Sequence, residues 1–247
     1  GGSLKLGYIL GRDLSQRLKY QLKRTEIRNV DETASTLIKE QEGTNTVSQI
    51  SQTTVFDKRD NRYEPKDGYV VSLTNELAGL SGDTQHFRTR IKTGYFVSLF
   101  EDKVLALIAE SGHIIGIDQD VNIGERFFLG GQTVRGFSNS GIGPRDGITN
   151  DALGGNNYYA GSIELRFPLG LGEELGINGS VFTDVGSLWS LDRDTSDILD
   201  SSGTRASAGF GLSWATGLGL MRVDFASAFL KEDWDETEFV RFSFGTR

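Results

Sequence analysis

The sequence predicts an all-β chain that forms a transmembrane antiparallel β-barrel, and three observations carry that prediction. About eleven runs of alternating hydrophobicity follow one another along the 247 residues. Many reach roughly ten residues or more, against the usual 5–6 of soluble sheets. Each sets an apolar face against a face of polar residues or glycines, as a lipid-facing wall around a wet lumen requires. A soluble sandwich or a lipocalin-like barrel also alternates. Its strands are shorter, however, and its connections need not alternate between tight turns and long polar loops as these do.

Composition narrows the class further. Mean hydropathy is −0.31, and the longest aliphatic run, Val104 to Ala109, falls far short of the about 20 apolar residues of a membrane-spanning helix. Lys plus Arg is 26 against 34 Asp plus Glu, a net charge of −8, which argues against a nucleic-acid partner. There is no cysteine, so a disulfide framework and thiolate metal ligands are excluded. Gly1-Gly2-Ser3 leads straight into a strand pattern with no signal peptide; the expectation is a removed leader or a start partway through a larger protein.

The runs lie roughly at 4–12, 16–28, 46–58, 68–80, 85–100, 102–116, 157–169, 176–189, 204–216, 219–230 and 238–247. Helix-forming content is confined to Thr33 to Glu42, within a polar loop. Glu64-Pro65-Lys66-Asp67-Gly68, Ser81-Gly82-Asp83 and Leu169-Gly170-Leu171-Gly172 read as turns. The faces are clearest late in the chain. Ile163, Leu165 and Phe167 oppose Ser162, Glu164 and Arg166; Ile177, Val181 and Val185 oppose Asn178, Ser180 and Asp184. Ala208, Phe210, Leu212 and Trp214 oppose Ser207, Gly209, Gly211 and Ser213, and Val240, Phe242 and Phe244 oppose Arg241, Ser243 and Gly245.

Between the sixth and seventh runs, 117–157 reads as one long loop rich in glycine. It contains Phe128-Leu129-Gly130-Gly131, Val134-Arg135-Gly136-Phe137 and Ile142-Gly143-Pro144-Arg145-Asp146. Arg135, flanked by glycine and aromatic residues, suggests a guanidinium held in place rather than a solvated charge. Such a group needs carboxylates to offset its desolvation. Glu164 and Asp184, each on the polar face of its strand, are the candidates. Enzymatic chemistry finds little here. The two histidines, His86 and His113, lie in strand runs, and no G-x-S-x-G elbow exists. Asp192 to Asp197 has loosely calcium-like spacing but lacks the glycine and distal glutamate of an EF-hand, so a solvated outer loop is expected. No catalytic residue, metal or cofactor is assigned.

The ordered set of loop motifs, the exit Asp151-Ala152-Leu153-Gly154-Gly155-Asn156, the strands Ser162 to Pro168 and Val181 to Trp189, and the ending Phe242-Ser243-Phe244-Gly245-Thr246-Arg247 resemble the BamA family of outer-membrane β-barrel assembly factors. Upstream, Asp57-Lys58-Arg59-Asp60-Asn61 with Pro65 and Gly68 is similar to a hairpin of that family. The resemblance implies a sixteen-stranded barrel whose sixth extracellular loop folds back into the lumen. It also implies that Arg135 pairs there with Glu164 and Asp184 to anchor the loop. Gly130, Gly131, Val134, Gly136, Phe137, Ile142, Gly143 and Pro144 then form the loop motif, and the last strand, through Val240, Phe242 and Phe244, forms one side of a lateral seam.

The implied function is folding and insertion of barrel proteins into the outer membrane, with unfolded outer-membrane clients, outer-membrane lipid and accessory lipoproteins as partners. A protein-translocating pore of the same superfamily, as in two-partner secretion, and a passive porin are the alternatives. The chain departs from the family in strand number. Only about six runs precede the loop where the family has eleven, and the periplasmic repeats are absent, so the chain resembles strands 6–16. The fragment is therefore expected to keep the loop anchor and closing strand but not a working gate.

Overall fold

The computed structural model describes residues 1–100, 102–170, 176–193, 197–216 and 219–244, with the backbone alone at 215, 216 and 219. Thirteen strands are present among them: β1 (Gly2–Ile9), β2 (Leu14–Ile27), β3 (Gly43–Asp57), β4 (Gly68–Gly82), β5 (His86–Phe100), β6 (Lys103–Gly116), β7 (Arg145–Asp146), β8 (Asn157–Pro168), β9 (Ile177–Trp189), β10 (Ile198–Leu199), β11 (Arg205–Thr216), β12 (Gly219–Leu230) and β13 (Val240–Phe244). Eleven form one antiparallel sheet in the order β1-β2-β3-β4-β5-β6-β8-β9-β11-β12-β13, so each strand lies beside its predecessor and β1 and β13 are the edges. This is the up-and-down wall of a barrel. The remaining two, β7 and β10, make a separate two-stranded ribbon that joins the long loop to the segment after β9.

The alternation behaves as the two-residue period requires. Ile163 is 58% exposed while its neighbours Ser162 and Glu164 are buried, and Val181, Phe210, Phe242 and Phe244 also face outward. The outer surface is thus an apolar band. The inner face is not uniformly polar, however. Ile114, Tyr158, Ala160 and Leu188 point inward and pack with Val121, Phe127, Leu129, Val134, Phe137 and Ile142 of the long loop. Apolar residues on the luminal face occur where the loop covers them, because both surfaces then leave water together. The main core lies between loop and wall.

Several boundaries differ from expectation, each for a local reason. The helical stretch shrinks to Thr36–Lys39, with the Ser35 hydroxyl accepting from the Leu37 N–H at 3.3 Å. The last strand begins at Val240 rather than 238 because Glu236 and Glu238 spend their backbone N–H groups on the long loop; at Phe239 the chain returns to the sheet, its carbonyl accepting from the Ala226 N–H of β12 at 2.9 Å. Asp192 is exposed but is not merely solvated. Its carboxylate accepts from the Val121 N–H at 2.7 Å and the Asn156 amide at 3.0 Å. Arg193 beside it bridges Asp120 and Glu40, both at 2.7 Å. At the same end the Ser35 N–H donates to Asp151 at 2.7 Å. The Ser35 hydroxyl, followed by the backbone N–H groups of Thr149 and Ile148, holds Asp146 below the usual carboxylate range. Three loops are thereby interlocked at one end of the barrel wall. Parts of the Leu169 to Gly172 turn, of the Asp192 to Asp197 loop and of the chain end at Gly245 to Arg247 lie outside the described residues.

Candidate functional site: a buried arginine on the luminal wall

Register brings the site together. Ser162 of β8 lies opposite Asp184 of β9, which lies opposite Ser207 of β11. Two residues along, Glu164, Phe182, Gly209 and Ala226 form a second rung. Arg166, Ser180, Gly211 and Asp224 form a third. Residues two apart on a strand share a face, so the three rungs make one luminal patch.

Arg135 descends onto this patch and is only 2% exposed. Its Nε and Nη2 donate to the two oxygens of Asp184 at 2.7 and 2.8 Å, a bidentate fork. Its backbone N–H donates to the same carboxylate at 3.0 Å. Nη1 donates to Glu164 Oε2 at 2.6 Å and to Asp224 Oδ1 at 3.4 Å, and Nη2 also donates to Ser162 Oγ at 3.1 Å. All of the guanidinium N–H groups are thus satisfied, which a buried arginine needs. The guanidinium carbon stands 3.2 Å from the centre of the Phe182 ring, a cation–π contact from below.

The neighbouring charges balance. Arg166 donates to Glu164 at 2.7 Å, and Arg222 grips Glu164 at 2.9 and 3.0 Å and Asp224 at 2.8 and 2.9 Å. Three arginines therefore meet three carboxylates. Arg135, Glu164 and Asp184 were legible in advance; Asp224, Arg222 and the Phe182 platform were not. The available signal was the Arg222–Asp224 pair, opposite charges two residues apart and so on one strand face. We expect Asp224→Asn to leave this network with one uncompensated positive charge. Its predicted effect is destabilisation by about 1–3 kcal/mol, measured as a lower temperature for loss of the compact, heat-modifiable gel band.

The loop motif is built to reach this depth. Gly136 has φ +90, a conformation that disfavours any side chain, and its position faces Ser207 and Ala226. Gly130, Gly131 and Gly143 also take positive φ. Val134 packs onto Gly186, where an added Cβ would lie 2.8 Å from Val134 Cγ2. Phe137 is fully buried and bridges to Thr237; Ile142 pairs with Leu129; the Pro144 carbonyl accepts from the Leu153 N–H at 2.9 Å. Val240, Phe242 and Phe244 are apart from this cluster, on the edge strand, with both phenylalanines exposed.

Comparison with known proteins gives a consistent picture. A family model described as the Omp85 superfamily domain matches residues 1–247. The outer membrane protein assembly factor BamA of Neorickettsia risticii (strain Illinois) is 39% identical over 98% of this chain and 33% of its own length. The sorting and assembly machinery component 50 homolog of Xenopus tropicalis is 36% identical over 158 residues, 63% of this chain and 33% of its own. The crystal structure of BamA from Haemophilus ducreyi lacking POTRA domains 1-3 superposes with a TM-score of 0.84 at 20% identity, covering 99% of this chain and 53% of that one. The chain thus spans about a third of the length of the curated relatives it matches.

Proposed function

The chain belongs to the Omp85 superfamily, and we propose that it forms part of the barrel of an outer-membrane assembly factor, which folds β-barrel clients and inserts them into the outer membrane. The observation that carries this reading is the Arg135 node. A long loop is pinned inside the barrel wall by one guanidinium that touches β8, β9 and β12 at once.

The task such a protein performs is to lower the barrier for bringing polar strand backbone into hydrocarbon, where each unpaired N–H or C=O is expensive. An edge strand answers it by offering its free backbone groups to an incoming strand, which is β-augmentation. β13 is such an edge. In this reading the anchored loop supports the wall next to it, clients and lipid meet at the seam, and accessory lipoproteins complete the assembly machinery. The role is mechanical, with no catalytic residue and no cofactor. The test is to place the full-length parent protein in liposomes and time the folding of an added client barrel by its heat-modifiable mobility. Acceleration over empty liposomes is expected, and its loss in an Arg135→Glu parent. A client that folds no faster with the intact protein than without it overturns the proposal.

A further inference from the structure

β13 is an edge of the sheet, with β12 as its neighbour on one side. Among the described residues it pairs with β12 from Val240, opposite Phe225, to Phe244, opposite Met221, and the Phe239 carbonyl just before it accepts from the Ala226 N–H of β12 at 2.9 Å. A strand at a sheet edge is bonded along one side alone, so what precedes it helps to fix its position. The segment leading into it is secured to the long loop. The Glu238 N–H donates to the Gly136 carbonyl at 3.1 Å. The Ser138 N–H donates to the Glu236 carbonyl at 2.9 Å, the Glu236 N–H donates to the Gly141 carbonyl at 2.9 Å, and Phe137 bridges to Thr237. These partners begin at the residue after Arg135 and end two residues before Val240. The Glu236 side chain adds an ion pair with the buried Arg145 at 2.8 Å.

The other flank of the segment is clamped to the wall. Arg205, at the start of β11, donates through Nε to Asp235 at 3.0 Å, and both side chains are fully buried. Nη1 of Arg205 donates to the carbonyls of Ser201 and Gly203 at 2.8 and 2.6 Å. Asp235 also accepts the Glu232 N–H at 2.8 Å, and Glu232 accepts the Ser201 hydroxyl at 2.8 Å. A buried ion pair whose remaining donors and acceptors are satisfied specifies one geometry, and removing one partner is strongly felt.

We propose that residues 232–238 act as a strap that sets the position of the closing strand β13 from the Arg135 anchor, with Arg205 and Asp235 as its positioning pair. For its functional consequence the proposal rests on the assembly-factor reading. Displacing β13 then requires releasing either the strap or the loop it is bonded to, so the pair governs how readily the edge becomes available. The strap itself is a structural claim, which can be tested without any client.

The test is amide hydrogen exchange on the full-length protein in lipid nanodiscs, comparing wild type with Asp235→Asn and, separately, Glu236→Pro. The first removes the buried charge at constant shape; the second removes the Glu236 N–H bonded to Gly141. Both are expected to raise exchange at 240–244 by roughly tenfold or more, together with 136–141, while β8 and β9 stay protected. Unchanged protection at 240–244 while the strap amides themselves exchange faster would overturn the proposal. So would loss of protection throughout β8 and β9 in both variants, since the segment would then hold the whole wall rather than one strand. Client folding is timed on the same Asp235→Asn protein. A freed β13 with an unaltered client rate leaves the strap standing and counts against the assembly reading instead.

Discussion

Arg135→Glu is expected to abolish growth in cells that depend on the parent protein and to remove its heat-modifiable gel mobility. The substitution places a fourth carboxylate where Glu164, Asp184 and Asp224 already converge. Removing one member of a buried ion pair is worth about 3–5 kcal/mol, a large share of the ~5–15 kcal/mol that separates folded from unfolded domains. The node also predicts which double variant recovers. Asp184 takes three hydrogen bonds from Arg135, two of them a bidentate fork, and one from the Ser162 hydroxyl. Glu164 is shared with Arg166 and Arg222. Arg135→Glu with Asp184→Arg therefore exchanges the two ends of one pair, whereas Arg135→Glu with Glu164→Arg sets a new cation beside two existing ones. Partial recovery in the first and none in the second is the expected result. Full tolerance of the single change would remove the anchor from the account of this protein.

What could be read in advance follows from which features are periodic. The barrel wall was legible because lipid on one side and a filled lumen on the other impose a two-residue period on every strand, and that period survives in sequence. Ile163 between Ser162 and Glu164 is a local signal that needs no partner strand. The Arg135 node was partly legible for a similar reason: a lone arginine among glycines has few compatible environments, and Glu164 and Asp184 sit on the polar faces. Asp224 was not found because its membership depends on β12 lying two strands away from β9 in a particular register. Phe182 was not found because an aromatic residue on a luminal face looks like a fault in the alternation until the guanidinium above it is known. The ribbon of β7 and β10 has two residues per strand, too few to carry a period. The early end of the last strand has the same origin, since 236–238 alternate suitably for a strand but spend their backbone bonds on the loop.

The same register argument gives a second large effect at a residue that looks inert. Gly209 lies between Phe182 and Ala226 in the second rung. A Cβ built there would sit on the Phe225 carbonyl oxygen, 2.7 Å from Phe182 Cζ and 2.9 Å from Ala226 Cα. Backbone on one side cannot yield without moving β12, and the ring on the other side is the platform under Arg135. Gly209→Val therefore has two routes, and both reach the node. Either β12 shifts and carries Asp224 away, or Phe182 is driven toward the guanidinium. Overpacking alone costs about 1–3 kcal/mol, and unseating a buried charge about 3–5 kcal/mol more. The expected outcome is loss of the compact gel band, as in Arg135→Glu, with Gly209→Ala intermediate. Phe210→Val is the control, because Phe210 is the next residue, 51% exposed on the outer face, and its truncation leaves the rung untouched. If Gly209→Val and Phe210→Val lowered the melting temperature of the compact band equally, the glycine would matter only as a place in a strand. A much larger loss at Gly209 would show that the empty space beside Phe182 is part of what seats the loop.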